Sequence, residues 1–186
     1  MFHRGSLYLL LSVFLFLAGC SGPKKSISAT FSPEKYSTLA ILVEKTDYAR
    51  TVEDAFVIGL MNKGYAVVSR NDVQQILGEI QFQGSGLTQS DRVRLGNMLN
   101  VRGIVMAHLT ESQSYSGSYT VNNAAIDARL IDVETGSIQW VSTHSSGQLG
   151  DPNLLGGGDI HGTVQGVAER VIESFPDRFV KASARQ

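Results

Sequence analysis

The stretch that decides the fold is TLAILVEKTDYARTVEDAFVIGLMNKGYAVVS, residues 38–69. It opens with Thr38 and five consecutive apolar residues, which is typical of a strand buried on both faces. We expect a helix to begin at Thr51, with Asp54 three residues later forming a variant of the capping box, and to end at Gly64. Residues 65–69 (YAVVS) favour a second strand. A strand, a helix and a strand in this order predict a partly parallel sheet with a helix packed on it.

The rest of the chain continues the same alternation and then becomes richer in strands. After residue 69 we predict a helix capped by Asn71, a helix opened by Thr88 and Asp91, a strand at 103–109, strands at 119–133 and 138–146 joined by a turn at 134–137, and a helix at 160–174. The two late strands add an antiparallel hairpin. The predicted fold class is therefore α/β, with one mixed β-sheet and helices packed on it.

The amino-terminal region has the features of an export signal. Residues 7–17 (LYLLLSVFLFL) are apolar except for Ser12, and Arg4 precedes them. A membrane-spanning helix needs about 20 such residues, so the run fits the core of a secretory signal better. Leu17-Ala18-Gly19-Cys20 resembles the lipobox of bacterial lipoproteins, whose cysteine becomes the first residue and carries lipid chains, palmitate among them. The alternative is an ordinary signal with a spare cysteine, which would leave a free thiol in an oxidising compartment.

These features predict three parts: a signal peptide at 1–19, lipidated Cys20 with a polar tether at 20–33, and one domain at 34–186. The thirteen tether residues after Cys20 could reach about 43 Å at most. Ser21 is compatible with transfer to the outer membrane, so we expect a lipid-anchored protein on that membrane, facing the periplasm. Loss of Arg4 with the leader leaves 15 basic and 17 acidic residues, a net charge of −2. That balance argues against nucleic acid as a partner.

The sequence offers little chemistry for catalysis. His108, His144 and His161 lie too far apart in sequence to form a recognisable zinc motif, and Cys20 is the only cysteine. Residues 156–159 (GGGD) lack the Lys-Ser/Thr that completes a phosphate-binding loop, and no G-x-S-x-G motif occurs. Gly162 and Gly166 form a G-x-x-x-G pair, which we expect to allow close packing onto the sheet. We predict no catalytic residues, no metal, no cofactor and no enzyme.

Four stretches together resemble the CsgG family of outer-membrane lipoproteins. They are LAILVE (39–44), GLMNKGYAVVSRNDVQQILGEIQFQGSGLT (59–88), LGNMLNVRGIVMAHLTE (95–111) and ARLIDVETGSIQWV (128–141). The resemblance implies a fold like the amino-terminal domain of TolB in a lipid-anchored envelope protein. The family includes the curli secretion pore, activators of penicillin-binding proteins, and small lipoproteins of flagellar or unclear role, so it implies no single function.

A pore of the curli kind requires each subunit to insert two long hairpins. A spanning strand needs about 9 to 11 residues, whereas a hairpin turning at Gly117 has arms of only about six or seven beyond the core. We therefore expect a protein-interaction module in envelope assembly; the alternatives are a secretion-channel subunit and an activator of a peptidoglycan synthase. The expected partners are the membrane, an envelope protein and, as a further candidate, another copy of the chain.

The hairpin tip, residues 112–120, is the predicted contact surface, with Tyr115 and Tyr119 as its large amphipathic side chains. A plain solvated loop is the alternative at this position. A second candidate is the glycine-rich segment 150–159, which carries Leu154 and Leu155.

Overall fold

The computed structural model describes residues 23–68, 70–79, 88–116, 119–146 and 159–179. The elements are β1 (Lys24–Ile27), β2 (Thr38–Val43), α1 (Ala49–Asn62), β3 (Ala66–Val67), α2 (Arg70–Glu79), α3 (Gln89–Leu99), β4 (Gly103–Ser116), β5 (Tyr119–Asp132), β6 (Ile138–Ser145) and α4 (Ile160–Glu173). The strands form one sheet in the order β1-β6-β5-β4-β2-β3. The predicted α/β class is confirmed.

The sheet is mixed in the way the sequence predicts. β2 pairs in parallel with β3 on one side and with β4 on the other. β4, β5, β6 and β1 are joined by antiparallel ladders. Parallel strands need a crossover between them, which α1 supplies, whereas β5 and β6 are joined by the predicted tight turn, where Gly136 has φ +72°.

The larger part of the core lies between the sheet and helices α1 and α4. Phe56 and Leu60 of α1, Leu130 of β5 and Trp140 of β6 are fully buried there. The predicted apolar stripe of the last helix is also buried, and it consists of Val164, Val167, Ala168, Val171, Ile172 and Phe175. A helix of that pattern is stabilised mainly by packing one face against the sheet.

A smaller core lies on the opposite face of the sheet. Val73 of α2 and Leu95 of α3 pack there against Ala40 of β2 and Ile104 of β4. Both helices therefore lie over β2 and β4. No helix in the described part of the chain covers the same face of β5, β6 and β1.

Close approach between elements depends on Gly59 and Gly96 and not on Gly162 of the predicted pair. A Cβ added at Gly59 of α1 would meet the side chain of Ile172 on α4, and one added at Gly96 of α3 would meet Val133. Gly162 is exposed instead, and its nearest neighbour would be Asp159 Oδ1 at 3.7 Å. The expectation that Gly162 packs closely onto the sheet is wrong, because this position faces away from it.

Several predicted boundaries differ from the structure. α1 begins at Ala49 after Tyr48, which makes no side-chain cap, so Thr51 lies inside the helix. α2 begins at Arg70, which places Asn71 inside that helix rather than at its cap. The capping box of Thr88 and Asp91 is confirmed by reciprocal hydrogen bonds of 3.2 and 3.0 Å.

A larger difference concerns the segment expected to be a tether. Lys24 to Ile27 form β1, which pairs with β6 from Thr143 to Trp140. The attachment continues beyond the strand, because Ser28 N–H donates to Gln139 O at 2.9 Å and the Phe31 ring stacks on Tyr36 at 5.6 Å. Only residues 21–23 separate Cys20 from the sheet. The cause is backbone pairing by a short polar edge strand, which leaves no apolar pattern in the sequence.

Candidate interaction surfaces

The first candidate surface is the uncovered sheet face, which we call the open face. Residues directly paired in a ladder share a face, so the register defines its rows. One row runs from Met106 through Arg129 and Val141 to Ser26, and the other from His108 through Asp127 and Thr143 to Lys24. Glu44, which follows β2, extends the second row, since its Oε2 lies 2.7 Å from His108 Nδ1.

The open face combines charge with a small apolar floor. A depression of about 480 Å³ is lined mainly by Glu44, Met106, His108, Asp127, Arg129 and Val141. Val141 is 39% exposed, and the His108 and Glu44 side chains are 52% and 57% exposed. On such a surface, charged groups set the orientation of a bound protein and apolar area contributes affinity. Of His108, His144 and His161, only His108 lies on this face.

A second candidate surface is the groove between α1 and α4, with a volume of about 520 Å³. Its floor contains Gly59 and Ile172, and Ile58 on its rim is 62% exposed. Three carboxylates also line it, and each has a neighbour: Asp54 with Arg50 at 4.0 Å, Glu169 with Gln165 at 2.9 Å, and Glu173 with Arg170 at 3.2 Å. Arg50 and Arg170 offset two of these carboxylates, whereas neutral Gln165 leaves the charge of Glu169 in place, so the groove is weakly acidic.

The third candidate is the far part of the β4–β5 hairpin. The ladder continues past its last pair with β2, Val43 with Ala107, and its last pair with β6, Ala125 with Ser145. It ends at the pair Ser116 with Tyr119. We call residues 110–116 and 119–125 the hairpin arm. Its described residues are regular strand rather than the loop that was the alternative at 112–120, and a role for this segment in binding stays a prediction.

The structure locates only some of the predicted contact residues. Tyr115 pairs with Thr120 and Tyr119 pairs with Ser116, so the two tyrosine backbones lie near the end of the hairpin arm. Their side chains lie outside the described part of the structure. Cys20, Leu154 and Leu155 are also outside the described residues.

The most strongly perturbed carboxylate belongs to the core and not to a site. Asp132 is 1% exposed; it accepts hydrogen bonds from Tyr36 Oη at 2.8 Å and from Thr135 N–H at 2.8 Å, and Lys35 Nζ lies 2.6 Å away. Burial alone would raise its pKa, but Lys35, the Thr135 backbone and Tyr36 together hold that pKa well below its usual range. With these partners, Asp132 fixes the β5–β6 turn against the segment that leads into β2.

Catalytic and metal sites find no support within the residues that the structure covers. No three His, Cys, Asp or Glu side chains there are grouped as metal ligands would be. His144 is buried in the core, and His161 packs against the Tyr48 ring with centroids 4.8 Å apart. None of the described helices is long and apolar enough to cross a membrane.

Comparison with solved structures identifies proteins that are similar to this chain. A PelC dodecamer from Paraburkholderia phytofirmans has a TM-score of 0.52 at 12% identity, over 82% of this chain and 96% of that one. Lipoprotein GNA1162 from Neisseria meningitidis has a TM-score of 0.49 at 13% identity, over 59% of this chain and 81% of that one. The LpoB carboxy-terminal domain from Escherichia coli has a TM-score of 0.41 at 15% identity, over 75% of this chain and 94% of that one. Of these three, only PelC exceeds 0.5, and at this identity it establishes a common fold.

A search of curated proteins gave no match. The family described as "Curli production assembly/transport component CsgG" matches residues 29–164, which include every strand from β2 to β6 and the start of α4. That span exceeds half of the chain and agrees with the four stretches that resemble the family in sequence. The chain belongs to the CsgG family.

Proposed function

We propose that this protein is a lipid-anchored module of the cell envelope that acts by binding other proteins. The observation that carries the proposal is the open face, where β5, β6 and β1 present Arg129, Asp127 and Val141 with no described helix over them. Membership of the CsgG family supports an envelope role. The absence of a recognisable catalytic motif in the sequence supports binding rather than catalysis.

The proposed anchor is Cys20, and the proposed location is the periplasmic side of the outer membrane. The lipobox-like Leu17-Ala18-Gly19-Cys20 and the following Ser21 support both proposals. Replacing Cys20 with Ser should move the protein from the detergent phase to the aqueous phase in a phase-partition assay. Retention of the variant in the detergent phase would mean that another segment holds the protein at the membrane.

We propose a second copy of the chain or another envelope protein as the partner of the open face. The PelC relative is described as a dodecamer, which supports self-association of this fold. A photo-crosslinking residue at Val141 should capture the partner in cells, while one at exposed Glu134, in the β5–β6 turn, should not. Replacing Arg129 with Glu should reduce capture at Val141. Equal capture at both positions, or capture unaffected by the Arg129 change, would refute the assignment.

A secretion-channel subunit is the alternative that the family raises. Beyond the pair Leu109 with Ile126, each strand of the hairpin has seven residues, whereas a spanning strand needs about 9 to 11. The second position at which a channel hairpin could be inserted, residues 147–159, lies almost wholly outside the described residues. Stable conductance steps from purified lipidated protein in a planar bilayer would favour the channel over the binding module.

A further inference from the structure

The edge strand β1 is attached to the sheet mainly through its backbone. Its four residues are all exposed, and Ile27, its only apolar side chain, is 44% exposed. Side-chain packing first fixes the chain at Phe31, whose ring centroid lies 5.6 Å from that of Tyr36 and 6.3 Å from that of Phe175. A strand that buries so little apolar area gains little beyond its backbone hydrogen bonds. Separation of β1 from β6 should therefore cost much less free energy than unfolding of the sheet, and it leaves Phe31 in place.

β1 also contributes to the open face. Ser26 ends the row that contains Val141, and Lys24 ends the row that contains Asp127. That second row holds two carboxylates, Asp127 and Glu44, so the ammonium group of Lys24 supplies a positive charge at its end. When β1 separates, β6 becomes the edge of the sheet and both side chains leave the face. The open face is therefore complete only while β1 is paired.

The same strand sets the length of the segment that follows Cys20. While β1 is paired, residues 21–23 span about 10 Å at most. When β1 separates, residues 21–27 are available and span about 23 Å at most. Both lengths keep the domain near a membrane that holds Cys20, but the second more than doubles its reach.

We propose that β1 is a releasable strap that couples the tether to the open face. Paired with β6, it completes the binding surface and holds the domain close to the anchor; once separated, it lengthens the tether and removes Lys24 from the surface. The proposal deepens the proposed function, since it rests on the open face and on the proposed anchor at Cys20. A partner protein that contacts Lys24 or Ser26 binds the paired state in preference, so partner binding and release of the tether oppose each other.

Hydrogen exchange measured by NMR tests the release on the chain without residues 1–19, carrying Cys20→Ser. Ser28 N–H donates to Gln139 O, and hydrogen-bonded pairs alternate along an antiparallel ladder. The Val141 N–H therefore points to β1, whereas the N–H of the next residue, Ser142, points to β5. After correction for intrinsic rates, the Val141 amide should exchange at least about 100-fold faster than the Ser142 amide. Equal rates would mean that β1 separates only when the sheet unfolds, and they would overturn the proposal.

A disulfide between β1 and β6 supplies a matched closed form. Lys25 and Ser142 are directly opposite at a position without ladder hydrogen bonds, where Cα atoms lie about 4.5 Å apart, within the range of a disulfide. Oxidation of the variant with Lys25→Cys and Ser142→Cys should slow exchange at Val141 about 10-fold or more, and reduction should reverse this. The same rate at Val141 in both forms would mean that separation of β1 is not the route of exchange, and the strap would be refuted.

Two proline substitutions test the coupling to the open face in cells. Ser26→Pro removes an N–H that points to β6, whereas Lys25→Pro removes one that points to solvent, so only the first should release β1. With circular dichroism confirming that both variants fold, Ser26→Pro should reduce photo-crosslinking from Val141 several-fold and Lys25→Pro should leave it unchanged. Equal crosslinking in the two variants would refute the coupling. If the wild type captures no partner at Val141, the proposed function fails and the coupling fails with it, while exchange in the isolated protein shows separately whether β1 is released.

Discussion

Replacing Gly59 with alanine tests whether α1 and α4 pack as closely as the structure shows. An added Cβ would lie 2.8 Å from Ile172 Cγ1 and closer still to Cγ2. Real Cβ atoms do not approach other atoms so closely, so one of the helices would have to shift. Ile172 has little freedom to yield, because it is buried and its β-branched side chain is restricted at χ1 in a helix.

Two effects oppose each other in this substitution. Alanine is favoured over glycine inside a helix by about 0.5–1 kcal/mol. Overpacking a well-packed core costs about 1–3 kcal/mol, so the clash prevails and Gly59→Ala should lower the free energy of unfolding by about 1–2 kcal/mol. Gly78 in α2 is the matched control, since a Cβ there would meet nothing within 4 Å. Gly78→Ala should therefore raise the free energy of unfolding by up to about 1 kcal/mol.

Urea denaturation of the leaderless chain, followed by circular dichroism, measures both changes. A second variant identifies the clash: Ile172→Ala removes both γ carbons that Gly59→Ala would meet. Ile172→Ala should therefore lower the free energy of unfolding less in the Gly59→Ala background than in the wild type, which corresponds to a favourable coupling of about 0.5 kcal/mol or more. If Gly59→Ala stabilises the protein as Gly78→Ala does, the helices are not in the close contact described here.

Three further predictions concern hydrogen bonds and buried groups. Asp132→Asn should lower the free energy of unfolding by about 2–3 kcal/mol in urea denaturation, because the charged acceptor of Tyr36 and Lys35 is lost. The pKa of Asp132 is depressed in the folded state, so the free energy of unfolding of the wild type should fall as the pH drops below about 4. The difference in this free energy between the wild type and Asp132→Asn should shrink over the same range, and an unchanged difference would contradict this reasoning. Burial, and after it the charge of Asp177, raises the pKa of Tyr65 to about 12. Ultraviolet titration should therefore show Tyr65 un-ionised near pH 10.5. The free energy of unfolding should decline above about pH 10, because tyrosines ionise there in the unfolded chain. Thr88→Ala should lower the free energy of unfolding by about 1 kcal/mol through loss of the cap on α3, and a change of exposed Gln89 to Ala serves as its control.

Elements that bury a continuous apolar face could be predicted from the sequence. The run after Thr38 is an interior strand, and the stripe from Val164 to Ile172 is the buried side of α4. In both cases burial itself imposes the pattern, since every position on the covered face must be apolar. Boundaries that depend on backbone geometry were less accurate, as α1 begins two residues before Thr51 without any side-chain cap.

The open face could not be predicted, because it depends on which strands lie next to each other. Glu44 and His108 are 64 residues apart in sequence, and the parallel pairing of β2 with β4 brings them to 2.7 Å. Asp127 joins the row only through the register of β5 against β4. Alternation along β5 predicts two faces, but local sequence does not indicate that α2 and α3 cover only the part of the sheet at β2 and β4.

The edge strand β1 shows the same limit and has the largest consequence for function. Lys24 to Ile27 are all exposed, so the strand is held by backbone pairing with β6, and its composition is that of a linker. Its presence shortens the segment after Cys20 from thirteen residues to three, Ser21 to Pro23, and the reach from about 43 Å to about 10 Å. A domain held so close to the proposed lipid anchor cannot extend through the periplasm to a distant enzyme, which argues against the alternative of a peptidoglycan-synthase activator. With the proposed anchor at Cys20, the partners of this domain would have to come to the membrane surface, where the open face is the binding surface that we propose.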